Sequence, residues 1–167
     1  MITNKWIAGN GEWEDAKKLR REVFIEEQNV AEEQEFDDLD LQSLHLVVYD
    51  GDTPIATGRI WHDGKTFRIG RCCVTKSERG GGIGDLLLKL LLIKTFEYNP
   101  SEVRIHAQTY AVPFYERYGF ACEGEEYMEE NIPHKTMSVT KETLVIPSKC
   151  GKDKHFEDFF TAVPQDG

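Results

Sequence analysis

Long apolar runs, paired cysteines and positive charge are all scarce in this chain. The longest greasy stretch, Leu86 to Ile93, is interrupted by Lys89 and falls well short of the roughly 20 apolar residues that a membrane-spanning helix requires. Cysteine occurs four times, as Cys72, Cys73, Cys122 and Cys150, with no C-x-x-C spacing, so a reduced, cytoplasmic setting is expected rather than a disulfide scaffold. Trp6, Glu12, Glu14, Asp15 and Lys17 break up the first 25 residues, and no secretory signal is expected there. Lys and Arg number 20 against 30 Asp and Glu, a formal charge of -10. That balance excludes general nucleic-acid binding, which needs a basic face, and disfavours anionic membranes. The five His and four Cys form no H-x-x-x-H, H-E-x-x-H or C-x-x-C frame, so no metal is expected.

What remains is a chain of 167 residues, 40% hydrophobic, enough for one globular domain that buries roughly 70% of its unfolded surface without staples. Asn10 can cap a helix from about Glu12 to Glu27, with Trp13, Ala16, Leu19 and Val23 inward and Lys17, Lys18, Arg20 and Arg21 toward solvent. Residues 26–40 then carry Glu26, Glu27, Glu32, Glu33, Glu35, Asp37, Asp38 and Asp40 and no base. This reads as a loop or short helix, and either as a solvated acidic face or as a surface that attracts a cation.

Strands are expected at Leu44–Tyr49, Ile55–Trp61 and Phe67–Thr75, an antiparallel meander, followed by an apolar helix from Asp85 to Tyr98. A strand Val103–Gln108, a short helix Val112–Tyr118 closed by Gly119, and strands Phe120–Tyr127 and Thr136–Thr140 complete the pattern, with Asn131, Pro133 and His134 in the last connection. The class is α+β, a mixed sheet flanked by helices. Beyond Lys141 the chain reads as a loop with Pro147 and Gly151 and a helical turn grouping Phe156, Phe159 and Phe160. The expected organisation is a domain over residues 1–141 and an extension over 142–167 that docks on it.

The strongest local signal is Arg79-Gly80-Gly81-Gly82-Ile83-Gly84 between a strand and a helix. Glycines permit positive φ and close backbone approach, and a helix N-terminus offers N–H groups to phosphate. A P-loop would continue with Gly-Lys-Ser/Thr, but the chain reads Gly84-Asp85-Leu86; a dinucleotide fingerprint also fails, since its third glycine falls on Asp85 or Leu87. Residues 65–79 carry Lys65, Arg68, Arg71, Lys76 and Arg79 against Glu78, a local surplus suited to a pyrophosphate. The plain alternative is a glycine-rich turn among surface bases.

Arg79-x-x-Gly82-x-Gly84, after a strand ending Cys72-Cys73-Val74, resembles the acetyl-CoA motif of the GNAT superfamily of N-acyltransferases. Ala111-x-x-Phe114-Tyr115-Glu116-x-x-Gly119-Phe120 resembles its second motif. Leu19-Arg20-x-x-Val23-Phe24-Ile25-x-Glu27-Gln28, His106-Ala107-Gln108 and Ile132-Pro133-His134-x-x-Met137 are similar to the small bacterial ElaA-like branch. The resemblance implies a GNAT fold, a mostly antiparallel mixed sheet splayed in the middle to admit pantetheine. It implies acetyl-CoA as acyl donor and no metal. Backbone groups of Cys73 and Val74 would meet the pantetheine amides, and Arg79, Gly80, Gly81, Gly82, Ile83 and Gly84 would hold the pyrophosphate. The Val74 N–H would serve as oxyanion donor.

The same resemblance makes Tyr115 the acid for the departing thiolate, the alternative being a packed aromatic. For the base, Glu27 stands where the family places its acceptor wall, or is a solvated carboxylate; His106 is a proton relay or a satisfied strand histidine. Gln28, His45, Gln108 and His134 are candidate acceptor contacts, a structural turn role being the alternative for His134. Cys73 as nucleophile competes with a buried inert thiol. The implied activity is N-acetyl transfer to a primary amine of a small molecule or peptide, with a non-catalytic acyl-CoA sensor or partner-binding module as the alternative. A monomer or homodimer is expected.

Overall fold

The computed structural model describes residues 1–147 and 153–155, which fall into two compact units, Met1–Lys94 and the residues from Thr95 onward. In the first unit, β1 (Ile2–Ala8), β2 (Leu44–Asp50), β3 (Thr53–His62) and β4 (Phe67–Val74) form an antiparallel meander. Apolar alternation does not foretell β1, because five of its seven residues are exposed. Backbone pairing holds it along β2, from Ile2 opposite Asp50 to Ala8 opposite Leu44. By contrast β2 buries His45 through Tyr49 continuously, as a strand covered on both faces does.

The first helix, α1 (Glu14–Arg20), continues as a π-helical segment over Arg21–Glu27. Trp13, not Asn10, stands at its N-cap, and no side chain caps it. The Trp13 indole N–H instead donates to the Gly9 carbonyl at 3.1 Å. Trp13, Ala16, Leu19 and Val23 face inward as their spacing predicts, packing with Val47, Tyr49 and Cys73. Arg20 does not point to solvent: it is 1% exposed.

Two short helices, α2 (Glu32–Glu35) and α3 (Leu39–Gln42), fold the acidic segment back. The solvated-face reading holds for Glu26, Glu32, Glu33 and Asp38 and fails for Glu35 and Asp40, both buried. These two carboxylates neutralise Arg20, whose Nε meets Glu35 at 2.8 Å and whose Nη1 meets Asp40 at 2.6 Å. A buried arginine needs such partners, and acids spaced along a folded loop supply them.

The long helix α4 (Ile83–Phe96) buries Leu87, Leu88, Leu91 and Leu92. Gly58 on β3 admits it, since a Cβ there would stand 2.7 Å from Leu91 Cδ1.

In the second unit β5 (Glu102–Gln108) is followed by α5 (Val112–Glu116), β6 (Ala121–Glu129) and β7 (Ile132–Thr140). β7 pairs antiparallel with both β5 and β6. Glu130 and Asn131 adopt φ of 52° and 61° and make a two-residue hairpin turn. Pro133 and His134 therefore belong to β7 rather than to a connection. Proline is tolerated because Pro133 faces only Met128, the β5 ladder reaching no further than Gln108 opposite His134.

Past Thr140, the expected loop around Pro147 is a strand, β8 (Val145–Pro147), paired with β9 (Asp153–His155). Leu144 and Ile146 are buried, and the Val145 N–H donates to the Tyr118 carbonyl at 3.0 Å. Cys150, Gly151, Phe156, Phe159 and Phe160 lie outside the described residues.

Candidate active site

At the end of β4 the ladder carries a bulge. Thr57 faces Cys73 and Arg59 faces Gly70, so Arg71 and Cys72 together oppose Gly58. Arg71 adopts the left-handed φ of 52° that the extra residue imposes. The bulge turns its guanidinium to the Gln34 and Glu35 carbonyls and to Asp37, each at 3.2 Å. Arg68 is held by Asp63 at 2.6 Å, and Arg79 by Glu27 at 2.7 and 2.8 Å. Three of the five bases expected to make a phosphate patch are thus matched by carboxylates, so the local surplus read from sequence is largely internal.

The loop itself is shaped by its glycines. A 3₁₀ turn, Lys76–Glu78, leads into Gly80 and Gly82, whose φ values of +84° and +90° demand glycine. A Cβ at Gly80, Gly81 or Gly82 would meet nothing within 4 Å, so the loop is open on its outer side. Ile83 and Gly84 form the first turn of α4, whose Leu86 N–H donates to the Gly82 carbonyl at 3.0 Å. This first turn sits at the positive end of the helix dipole, where negative charge is stabilised.

Cys73 is buried, and burial pushes its thiol far up; the Cys72 thiol is pushed up to about 12. Neither is a thiolate near neutrality, which leaves Cys73 its backbone as a contribution. Glu27 closes the π-helical segment, and the Arg79 hydrogen bonds, aided by the charges of Arg79 and Lys76, hold its carboxyl below the usual range. Gln28, half-buried, donates its backbone N–H to the Val23 carbonyl. His45 stands elsewhere, fully buried against Trp13 at 4.2 Å with its Nε2–H on the Asp40 carbonyl at 3.0 Å. The structure thus gives His45 a packing position rather than an acceptor-facing one.

In the second unit, alternation puts Val103, Ile105, Ala107, Met137 and Val139 on a buried face. His106 and Gln108 lie on the other, opposite Thr136 and His134. His134 donates from Nδ1 to the Ile132 carbonyl at 2.6 Å, leaving Nε2 3.5 Å from Glu129. His106 Nδ1 is 3.7 Å from the other Glu129 oxygen. Tyr127 stacks on His134 and meets His106 edge-on, with centroids 6.1 and 5.8 Å apart. Sequence reasoning singled out both histidines but neither Glu129 nor Tyr127, which bring them together. The signal available was their i, i+2 spacing just before the Glu130-Asn131 turn.

Tyr115 is half-buried on α5, edge-on to Phe114 at 5.3 Å and to Phe120 at 5.8 Å. Among the described residues no three His, Cys, Asp or Glu are gathered in a way that could hold a metal ion.

The sequence model of the GNAT acetyltransferase domain matches residues 12–141, a span that includes both glycine-bearing motifs. An uncharacterized N-acetyltransferase of Bacillus subtilis (strain 168), YjcF, is 41% identical over 133 residues, 78% of this chain and 95% of that protein. Among solved structures, Escherichia coli ElaA superimposes with a TM-score of 0.75 at 28% identity, covering 83% of this chain and 99% of that one. An acyl-CoA N-acyltransferase from Pseudomonas aeruginosa gives the same values. The fold is that of the acyl-CoA N-acyltransferases, and the chain belongs to the GNAT acetyltransferase family.

Proposed function

We propose that the protein transfers acetyl from acetyl-CoA to a primary amine of a small molecule or peptide, by direct attack in a ternary complex. The open, positive-φ glycine loop between β4 and the start of α4 carries this reading. Its N–H groups would bind the pyrophosphate, and the edge of β4 at Cys73 and Val74 would receive the pantetheine arm. The amine nitrogen bonds to the thioester carbonyl carbon, the Val74 N–H stabilises the oxyanion, and the C–S bond then breaks. Tyr115 gives its proton to the departing thiolate, and Glu27 or His106 takes the proton the amine loses.

Gln28, Gln108 and His134 would contact the acceptor, while His45, sealed in the core, is left out. The exposed carboxylates Glu26, Glu32, Glu33 and Asp38 support a cationic acceptor. A reduced cytoplasm suits the four cysteines. No helix among the described residues is long and apolar enough to cross a membrane.

Calorimetry with acetyl-CoA and free CoA, followed by thiol release over a panel of amines, tests the reading. Binding with release that drops about 100-fold in Tyr115→Phe, the low end for a lost proton donor, is the expected result. Binding without release from any amine would instead favour an acyl-CoA sensor.

A further inference from the structure

Arg79 reaches two groups that the proposed reaction needs. Its Nη1 and Nη2 lie 2.7 and 2.8 Å from Oε2 and Oε1 of Glu27, a two-pronged pair, and its Nε donates to the Val74 carbonyl at 3.0 Å. All three guanidinium nitrogens are thus engaged on protein acceptors beside the glycine loop. The candidate base is neutralised by the candidate phosphate ligand, and one lone pair of the Val74 carbonyl is occupied at the place assigned to a pantetheine amide.

These contacts conflict with the roles assigned to each group, and the conflict resolves if they belong to different stages of the cycle. We infer that the Arg79–Glu27–Val74 clasp is a latch opened by the acyl donor. The pyrophosphate of the incoming acyl-CoA draws Arg79 off Glu27, so that the carboxylate is released to the acceptor only once the donor is bound. The inference rests on the proposed donor reading and adds to it an order of binding.

Three physical points support the exchange. A pyrophosphate presents more charge and more acceptor oxygens to a guanidinium fork than one carboxylate does. The Arg79 and Glu27 side chains are 39% and 36% exposed, and a pair so open to water is held only weakly. Glu27 also ends a π-helical segment, a local widening that recurs at functional sites.

The test is calorimetric titration of CoA into the wild type, Glu27→Gln, Arg79→Gln and the double variant, with Glu26→Gln as a neighbouring charge control. Glu27 and Arg79 are exposed enough that neither change opens the core. A latch predicts that Glu27→Gln tightens CoA binding about 2- to 5-fold, the coupling of an exposed pair, that Glu26→Gln does so less, and that the gain vanishes when Arg79 is already glutamine. Unchanged or weaker binding in Glu27→Gln overturns the latch. So does an equal gain with and without Arg79, which would be a diffuse field effect. If the wild type binds no CoA, the donor reading itself falls and the latch with it.

Discussion

Arg20 and Arg59 converge on one atom: their Nη1 groups lie 2.6 and 2.7 Å from the same oxygen, Oδ1 of Asp40. Around that point Arg20, Arg59 and Arg71 are matched by Glu35, Asp37 and Asp40, three charges of each sign. Burial alone would raise the Asp40 carboxyl, but the Arg20 hydrogen bond and the two arginine charges outweigh it and hold it below the usual range. Glu35 goes the other way, because its desolvation exceeds what the arginines return. Removing one partner leaves two buried cations without their shared anion. Asp40→Asn should therefore cost about 3–5 kcal/mol in a urea titration. A loss below about 1 kcal/mol, the scale of a solvated pair, would refute the sealed cluster.

His45, beside the same carboxylate, gives the cluster a pH dependence. Burial, reinforced by the charges of Arg20 and Arg59, depresses its imidazole below 6.5 against the pull of the Asp40 carbonyl and carboxylate. Its Nδ1 is buried with no hydrogen-bond partner among the described residues, and a proton there would be costly. Because the folded value is the lower one, the contribution is complete above 6.5 and is lost as pH falls through the folded pKa. Asp37 and Asp40 have the same sign but act in a lower window, from 3.8 downward. Stability measured from about pH 7 to 5 should fall in the wild type and fall less in His45→Gln, the difference isolating this ring. Parallel curves would remove His45 as the source.

Periodic and glycine-marked elements were legible in the sequence. The inward face of α1 follows from the spacing of Trp13, Ala16, Leu19 and Val23, and the loop from Gly80 to Gly82 stands where its composition put it. Features set by pairing at a distance were not. β1 has no apolar alternation, and the Glu130-Asn131 turn lacks the glycine that usually marks such a hairpin. Charge was the least legible property. Arg20 and Asp40 are 20 residues apart, and counting charge by segment assigns one to solvent and the other to an acidic face. The same limit hid the Arg79–Glu27 pair, 52 residues apart, and the role of Glu129 between two histidines.

Gly119 is needed for two reasons that a single substitution tests together. Its φ is +88°, and a Cβ would stand 1.9 Å from the Thr143 carbonyl oxygen, a backbone atom that cannot swing aside. Gly119→Ala must push residues 143–147 away from the turn after α5 and expose part of Leu144 and Ile146, 1% and 3% exposed in the native fold. With backbone strain added, a loss of about 3 kcal/mol is expected in chemical denaturation. Limited proteolysis should cut the variant in this stretch at lower protease concentration than the wild type. Wild-type stability in Gly119→Ala would mean that the segment is not seated on the turn.

Gly81 separates the two reasons a loop can be rich in glycine. Gly80 and Gly82 require their residue type for conformation, and alanine at either should cost about 1 kcal/mol in strain whatever the loop binds. Gly81 lacks a positive φ, and a Cβ added to it would find no atom within 4 Å. Gly81→Ala should therefore leave the fold within about 0.5 kcal/mol of wild type. If the loop seats a pyrophosphate, the added methyl enters the space the phosphate oxygens need, and calorimetry should show CoA binding weakened about 10-fold or more, equivalent to about 1.4 kcal/mol. Unaltered stability with unaltered affinity would mean that the middle glycine faces no ligand, and the pyrophosphate would then have to be sought away from this loop.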